Sequence, residues 1–316
     1  MEVKRREFLK QAAAAAAGAI VVQGLPLQAQ ETPKATGPSV LSVATGKDYE
    51  ALVKLVLKPL GGMAAFVKSG QNVVVKPNIG WDRTPELGAN THPLVVKAVV
   101  AQALEAGAKQ VLVYDYSCNN PKLCYKNSGI ADAIASLNDS RVRLEEINKR
   151  RFVTVKIERG RHLSEWQFYR DAIEADVYIN LPTAKHHALT KLTLGMKNIM
   201  GTIDNRGQMH ANMSKKKFPM GQQLADLNSL LEPDLTIVDA TRLLLRNGPT
   251  GGRPEDVQVC DTLIASHDLV AADAYATTLF GMKPEEIEST VCGHALGLGE
   301  IAINDPAKVK VVKAKA

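Results

Sequence analysis

The sequence lacks the motifs that would indicate a function directly. Only 5% of its 316 residues are aromatic, and its four cysteines show no C-x-x-C spacing. Zinc ribbons and ferredoxin-type iron–sulfur clusters are therefore not encoded by this chain. The P-loop, G-x-S-x-G and H-E-x-x-H motifs are also missing. Scattered basic residues with few aromatics between them argue against nucleic-acid binding.

The sequence also lacks an apolar run of the roughly 20 residues that a membrane-spanning helix needs. The most apolar stretch, Ala12 to Val22, follows the basic segment KRREFLK and precedes small residues near Ala29. A basic start, a short apolar segment and small residues before a cleavage site are typical of a signal peptide. We predict a signal peptide at 1–29 and a flexible linker at 30–39, and no stable membrane anchor.

The predicted signal peptide resembles the twin-arginine (Tat) export motif, because Arg5 and Arg6 are followed by Phe8, Leu9 and Lys10. This resemblance implies that the Tat export machinery is a partner and that the folded protein reaches the periplasm. Residues 1–29 contain four basic and two acidic residues, so cleavage lowers the formal net charge from +6 to +4. The mild positive charge that remains favours an anionic ligand.

Beyond residue 40, short apolar runs alternate with stretches of helical spacing. Residues 72–76 (NVVVK) have the composition of a strand buried on both faces, and Pro93 suits the first position of a helix. Other predicted strands are 40–45, 110–114, 177–181, 234–239 and 262–266, and other predicted helices are 49–58, 189–203, 222–231 and 269–280. The alternation predicts an α/β fold with a mostly parallel sheet, helices on both faces, and one domain over 40–316.

The stretch from Asn180 to Thr202, NLPTAKHHALTKLTLGMKNIMGT, is the most informative part of the chain. We predict that it contains the end of a strand, a polar loop, and a helix that begins near Leu189. A strand that leads into a helix is where open α/β sheets bind ligands. The free N–H groups of the helix start would favour an anion.

Polar residues that follow the predicted strands are expected to meet, because the carboxyl ends of parallel strands share one edge. The candidate catalytic residues are Lys76, Asp115, Lys185 and His186, and the candidate substrate-binding residues are Asn78, His92, Lys197, Asn198 and Arg246. Lysines would hold a small anion, and an imidazole would transfer protons near neutral pH. We expect His187 to be structural, since His186 competes for the same role.

No cofactor is identified by the sequence, although a divalent metal is one possibility. Asp239 and Asp273 are the candidate ligands, together with His92 or His186. Five methionines between residues 196 and 220 either offer soft ligands for Cu(I) or fill gaps in the core. Cys118 and Cys124 either form a disulfide in an oxidising compartment or remain free thiols.

Three segments resemble the bacterial and archaeal family called domain of unknown function 362. They are VVVKPN at 73–78, NTHP at 90–93 and NLPTAKHHALTKLTLGMKNIMGTI at 180–203. The resemblance covers about 70–280, including DLTIVDAT and LVAADAYATTLFG, and implies an α/β fold. Some members of the family carry an iron–sulfur module, for which this chain lacks the clustered cysteines.

Two functions are compatible with these observations. The first is an exported enzyme that acts on a small anionic substrate through lysine, histidine and aspartate side chains at the strand ends. The alternative is a periplasmic protein that binds a ligand, metal or cofactor without catalysis. The family name indicates no activity, so the choice depends on how the candidate residues are arranged.

Overall fold

The structure is a computed structural model that describes residues 37–214 and 218–316. The predicted signal peptide and residues 30–36 of the predicted linker lie outside these ranges. None of the helices within the described ranges is long and apolar enough to cross a bilayer.

A mostly parallel sheet forms the centre of the fold. The strands in the described part of the chain are β1 Ser39–Thr45, β2 Asn72–Pro77, β3 Gln110–Asp115, β4 Val142–Glu146, β5 Phe152–Lys156, β6 Glu165–Tyr169, β7 Val177–Leu181, β8 Thr183–His187, β9 Lys191–Thr193, β10 Leu235–Leu244, β11 Val257–Ser266 and β12 Val309–Lys315. The main path of the sheet is β12-β1-β11-β10-β7-β2-β3-β4, with β8 beside β10 and β9 beside β8. The run from β10 to β4 is parallel throughout, whereas β11 is antiparallel to both of its neighbours.

Helices cover both faces of this sheet, as predicted. They are α1 Tyr49–Leu57, α2 Pro93–Glu105, α3 Pro121–Asn127, α4 Ile130–Ala135, α5 Arg170–Glu174, α6 Gly195–Asn198, α7 Arg206–Ser214, α8 Met220–Leu230, α9 Leu269–Thr278 and α10 Glu288–Ala295. Apolar residues of α1 to α4 pack in one core, and those of α5, α8 and α9 pack in cores on the other side. Along β2, Val73 and Val75 enter the first core and Val74 the opposite one. This explains the continuous apolar run, since both faces of the strand are buried.

The segment after Leu181 differs from the prediction. The predicted polar loop and the predicted helix start near Leu189 are wrong, because β8 and β9 form an antiparallel hairpin there. Lys191 has a φ of 61°, which turns the chain, and α6 begins only at Gly195. Residues 206–214, which are not among the predicted helices, are also helical. The strand assignment matters for the site, because successive side chains of β8 point to opposite sides.

The loop between β2 and α2 is fixed to the carboxyl end of the sheet by a buried threonine. The N–H of Asn78 donates to Thr91 Oγ1 at 2.8 Å, and the Thr91 hydroxyl donates to the Leu181 carbonyl at 2.8 Å. The next residue, His92, donates its N–H to Asp239 Oδ2 at 2.6 Å. The loop therefore holds Asn78 at the ends of β2 and β7.

We expect Thr91→Val to destabilise the protein by about 1–3 kcal/mol, because it leaves the Asn78 N–H and the buried Leu181 carbonyl without their hydroxyl partner. Denaturant unfolding would measure the loss. Thr154→Val is the matched control, since Thr154 is an exposed residue of β5. Equal stability of the two variants would contradict the anchoring role of Thr91.

Candidate functional site

A buried ion pair joins the ends of two neighbouring parallel strands. Lys76 lies near the end of β2 and Asp115 is the last residue of β3, and the distance from Lys76 Nζ to Asp115 Oδ1 is 2.7 Å. Their side chains are only 1% and 3% exposed. Burial lowers the pKa of Lys76, and the charge of Asp115 opposes this effect. The predicted meeting of these two residues is therefore present in the structure.

Asn198 connects this ion pair to α6. Its Oδ1 accepts from Lys76 Nζ at 2.7 Å, and its Nδ2 donates to the Lys76 carbonyl and to Asn180 Oδ1 at 2.9 and 2.8 Å. Asp115 Oδ2 accepts the N–H of Ile79 at 2.6 Å. The network thus links β2, β3, β7 and α6 through hydrogen bonds between buried protein groups.

Lys185, on β8, is buried without a carboxylate partner among the described residues. Its Nζ donates to Asn78 Oδ1 at 3.1 Å and to the Ala89 carbonyl, and lies 5.9 Å from the centre of the Trp81 ring. Burial is the main cause that lowers its pKa to about 7, and Lys197 and Lys76 lower it further. Lys185 is therefore close to half-protonated at neutral pH.

Lys197, on α6, contacts a histidine instead of a carboxylate. Its Nζ lies 3.0 Å from His187 Nε2 and 3.7 Å from Met200 Sδ. Burial lowers the pKa of Lys197 to about 8, and the nearby Arg206 adds to this effect. Burial and the charges of Lys197 and Lys185 lower the pKa of His187 to about 3.

Two further residues of the site were missed by the sequence analysis. Arg206, at the start of α7, donates to the carbonyls of Tyr116 and Ser117 at 2.8 and 3.1 Å, and lies 3.7 Å from Cys118 Sγ. Cys118 is an exposed cysteine, and its electrostatic interaction with Lys185 and Lys197 raises the pKa of both lysines. Both Cys118 and Cys124 are free, so of the two alternatives the free thiols are found. We call Lys76, Lys185, Lys197, His187, Arg206 and Cys118 the lysine cluster.

His186 does not join the lysine cluster. Lys185 and His187 lie on one side of β8, and the alternation of the strand places His186 on the other. Its Nδ1 accepts the N–H of Gly248 at 3.1 Å. The structure therefore brings His187 to the lysines, which reverses the expected order of the two histidines.

Asp239 and His92 contact each other away from the lysines. Asp239 accepts from the His92 N–H at 2.6 Å and from the N–H and hydroxyl of Thr241 at 2.9 and 2.7 Å. Asp239 lies opposite Leu263, so it shares the sheet face that α1 and α2 cover. Burial lowers the pKa of His92. In this arrangement Asp239 fixes the backbone of His92, whose own side chain caps α2 by accepting the Leu94 N–H, and His92 does not face the lysine cluster.

Asp273 and Arg246 also have other partners. Asp273, on α9 at the opposite face from Asp239, accepts from the N–H groups of Gly195 and Met196 at 2.7 and 2.8 Å, and burial raises its pKa to about 7. Arg246 is 67% exposed and pairs with Asp256 at 3.1 Å. Over the described ranges, no three His, Cys, Asp or Glu side chains are grouped to hold a metal ion. Asp239 and Asp273 therefore do not form the shared metal site that we predicted.

The charge arrangement, not a deep cavity, marks the lysine cluster as the candidate site. An open depression of about 340 Å³ lies nearby, lined by Asp82, Arg83, Thr84, Leu87, Asn127 and Gly252. None of the three lysines lines it. The charges indicate the site more strongly than the depression does, because buried cations without counter-ions are costly unless a bound ligand pairs with them.

The lysine cluster lies within residues 73–278, which match the family model "Domain of unknown function (DUF362)". The chain belongs to this family. A relative, the thylakoid-associated protein sll1697 of Synechocystis sp., is 30% identical over 269 residues, which are 83% of this chain and 81% of the relative. The lactate racemase apoprotein of Thermoanaerobacterium thermosaccharolyticum is a structural neighbour with a TM-score of 0.42 and 13% identity. That match spans 64% of this DUF362 chain and 50% of the racemase chain.

We expect Gly201→Ala to disrupt the buried ion pair of this DUF362 protein. A Cβ at residue 201 would overlap the Asp115 carboxylate and the Lys76 ammonium. Overpacking costs about 1–3 kcal/mol, and separating a buried ion pair costs about 3–5 kcal/mol. Denaturant unfolding should therefore show a loss of several kcal/mol.

The matched control for this prediction is Gly207→Ala. Gly207 lies in α7, and a Cβ there would meet no atom within 4 Å. Replacing a helical glycine with alanine is neutral or stabilising by up to about 1 kcal/mol. If both variants unfold at the same denaturant concentration, Gly201 is not needed for close packing against the ion pair.

Proposed function

We propose that the protein is an enzyme that acts on a small carboxylate- or phosphate-bearing substrate at the lysine cluster. The observation that carries this proposal is Lys185, a lysine that is 1% exposed and has only neutral hydrogen-bond acceptors. A buried ammonium without a counter-ion is costly, which is why its pKa is lowered. A bound anion would supply the counter-ion and would hold the ammonium in its charged form.

The same cluster contains groups suited to proton transfer. The pKa values of Lys185 and Lys197 are lowered to about 7 and about 8, close to the pH at which an acid or base works best. Arg206 offers a second cation to the anion. Lys76 is already paired with Asp115, so we assign this pair the role of positioning the strand ends and Asn198.

Binding of a carboxylate should depend on pH through Lys185. The lowered pKa means that Lys185 is charged below about pH 7 and neutral above it. Affinity should therefore be constant below that pH and fall by up to about tenfold per pH unit above it, until the pH reaches the pKa that Lys185 has in the complex. Calorimetric titration with acetate, propionate, succinate and inorganic phosphate between mildly acidic and alkaline pH would measure this.

Lys185→Met should weaken binding by roughly 10- to 100-fold at acidic pH, because one hydrogen bond to a charged group is lost. It should also remove most of the pH dependence. Lys191→Met is the control, since Lys191 is an exposed lysine of the same hairpin, 57% exposed. An unchanged pH profile in Lys185→Met would contradict the assignment. Tight binding of a small anion without turnover of any tested compound would indicate a binding protein.

We also propose that the chain is one domain over 40–316 that is exported by the twin-arginine route to the periplasm. The support is the sequence KRREFLK followed by a short apolar segment. The relative sll1697 is a thylakoid-associated protein. Under this proposal, the lysine cluster is assembled before export, because the pathway carries folded proteins.

Replacing Arg5 and Arg6 together with lysine should keep the protein in the cytoplasm, because the twin-arginine pair is the recognised feature while the charge is unchanged. Cell fractionation of a bacterial host that expresses the full chain would measure this. Lys4→Arg is the control and should be exported normally. Equal periplasmic amounts of the double variant and the control would refute the route.

A further inference from the structure

The hydrogen bonds of His187 fix where its proton lies. Its Nδ1 accepts from the N–H of Leu189 at 3.1 Å and from the N–H of Thr190 at 3.4 Å. A nitrogen that accepts N–H groups cannot carry a hydrogen of its own. An imidazole ring whose Nδ1 carries no hydrogen is neutral, so its single hydrogen is on Nε2.

This tautomer determines the protonation state of Lys197. The Nε2–H of His187 faces Lys197 Nζ at 3.0 Å. An ammonium has three donors and no acceptor, so it would place a donor against a donor. A neutral amine has a lone pair that accepts this hydrogen bond, and its own N–H groups are free to face Met200 Sδ at 3.7 Å. The geometry therefore favours Lys197 as an uncharged amine.

Resting on the proposed function, we propose that Lys197 is a nucleophile that forms a Schiff base with the carbonyl group of an anionic substrate, such as a 2-oxo acid. An uncharged lysine amine beside other cations is the form that attacks carbonyl carbon. The carboxylate of such a substrate would pair with Lys185 and Arg206. Both of these cations interact electrostatically with Lys197. Lys197 would thus bond to the carbonyl carbon of the substrate, and Lys185 and Arg206 would bind its carboxylate.

The step is balanced without a further reactant. The Nζ lone pair forms a bond to the carbonyl carbon, and the π electron pair moves to oxygen. His187 passes one proton to this oxygen from its Nε2 and takes one from Nζ, so the ring ends neutral. The oxygen then leaves as water with the second Nζ proton while the C=N bond forms, and a neutral imine remains.

The other two lysines of the cluster are less suited to this role. Lys76 is 1% exposed and forms the ion pair with Asp115, which stabilises its ammonium form. Lys185 donates from Nζ to Asn78 Oδ1 and the Ala89 carbonyl, two acceptors that favour its ammonium form over the free amine. Lys197 is only partly buried, and it interacts electrostatically with Arg206 and with the exposed Cys118.

The test is reductive trapping of the full chain with pyruvate or glyoxylate and sodium borohydride, followed by intact mass measurement and peptide mapping. The expected result is one reduced adduct at Lys197, formed well before adducts at exposed lysines. At neutral pH a lysine with a pKa near 8 has a free-amine fraction roughly a hundredfold larger than an ordinary lysine. Lys197→Met should lose the adduct, and Lys126→Met, which replaces an exposed lysine of α3, should keep it.

Calorimetric binding of propionate, which has a carboxylate but no reactive carbonyl, separates the two proposals. Propionate binding without a selective adduct at Lys197 overturns the Schiff base and leaves the proposed anion site. A selective adduct at another lysine, or one that persists in Lys197→Met, also overturns it. If neither propionate binding nor an adduct is found, both proposals fail. Because the adduct is mapped in the wild-type chain, the result does not depend on a variant that folds poorly.

Discussion

The ion pair between Lys76 and Asp115 is the interaction on which the site depends. It lies where two parallel strands end, in a place from which water is excluded, so each charge requires the other. Asn198 accepts from the lysine and donates to the Lys76 carbonyl, which ties α6 to the sheet. Since α6 also carries Lys197, the position of that amine follows from this buried pair. The absence of a side chain at Gly201 gives the pair the space it occupies.

The fold could be predicted from the sequence wherever burial produces a recognisable pattern of apolar residues. The run NVVVK is apolar throughout because Val73, Val74 and Val75 enter cores on both faces of the sheet. The hairpin of β8 and β9 produced no such pattern. Lys185 and His187 of this hairpin are polar yet buried. Polarity therefore indicated a loop, and the error came from the candidate site residues themselves.

The same error explains which site residues could be predicted. Lys76, Asp115 and Asn78 follow strands that were recognised, so the shared edge of the sheet brought them together as expected. His186 and His187 could be ordered only by the alternation of β8, which the loop assignment concealed. Arg206 begins α7 and Cys118 lies in the loop after β3, two segments that a single sequence cannot place against each other. Asp239 and Asp273 lie in β10 and α9, but the opposite faces of the sheet separate them.

Three lysines in one cluster differ in chemistry because their nearest partners differ. The partner of Lys76 is a carboxylate, that of Lys185 is a set of neutral oxygens, and that of Lys197 is an imidazole N–H. The carboxylate stabilises a charged ammonium, the neutral oxygens leave the charge only partly stabilised, and the imidazole donor requires a lone pair. Burial lowers the pKa of all three. The same side chain therefore gives a lysine paired with a carboxylate, a lysine that titrates near neutral pH and a lysine whose partner favours the free amine, which is the separation of roles that a reaction on an anionic carbonyl compound would need.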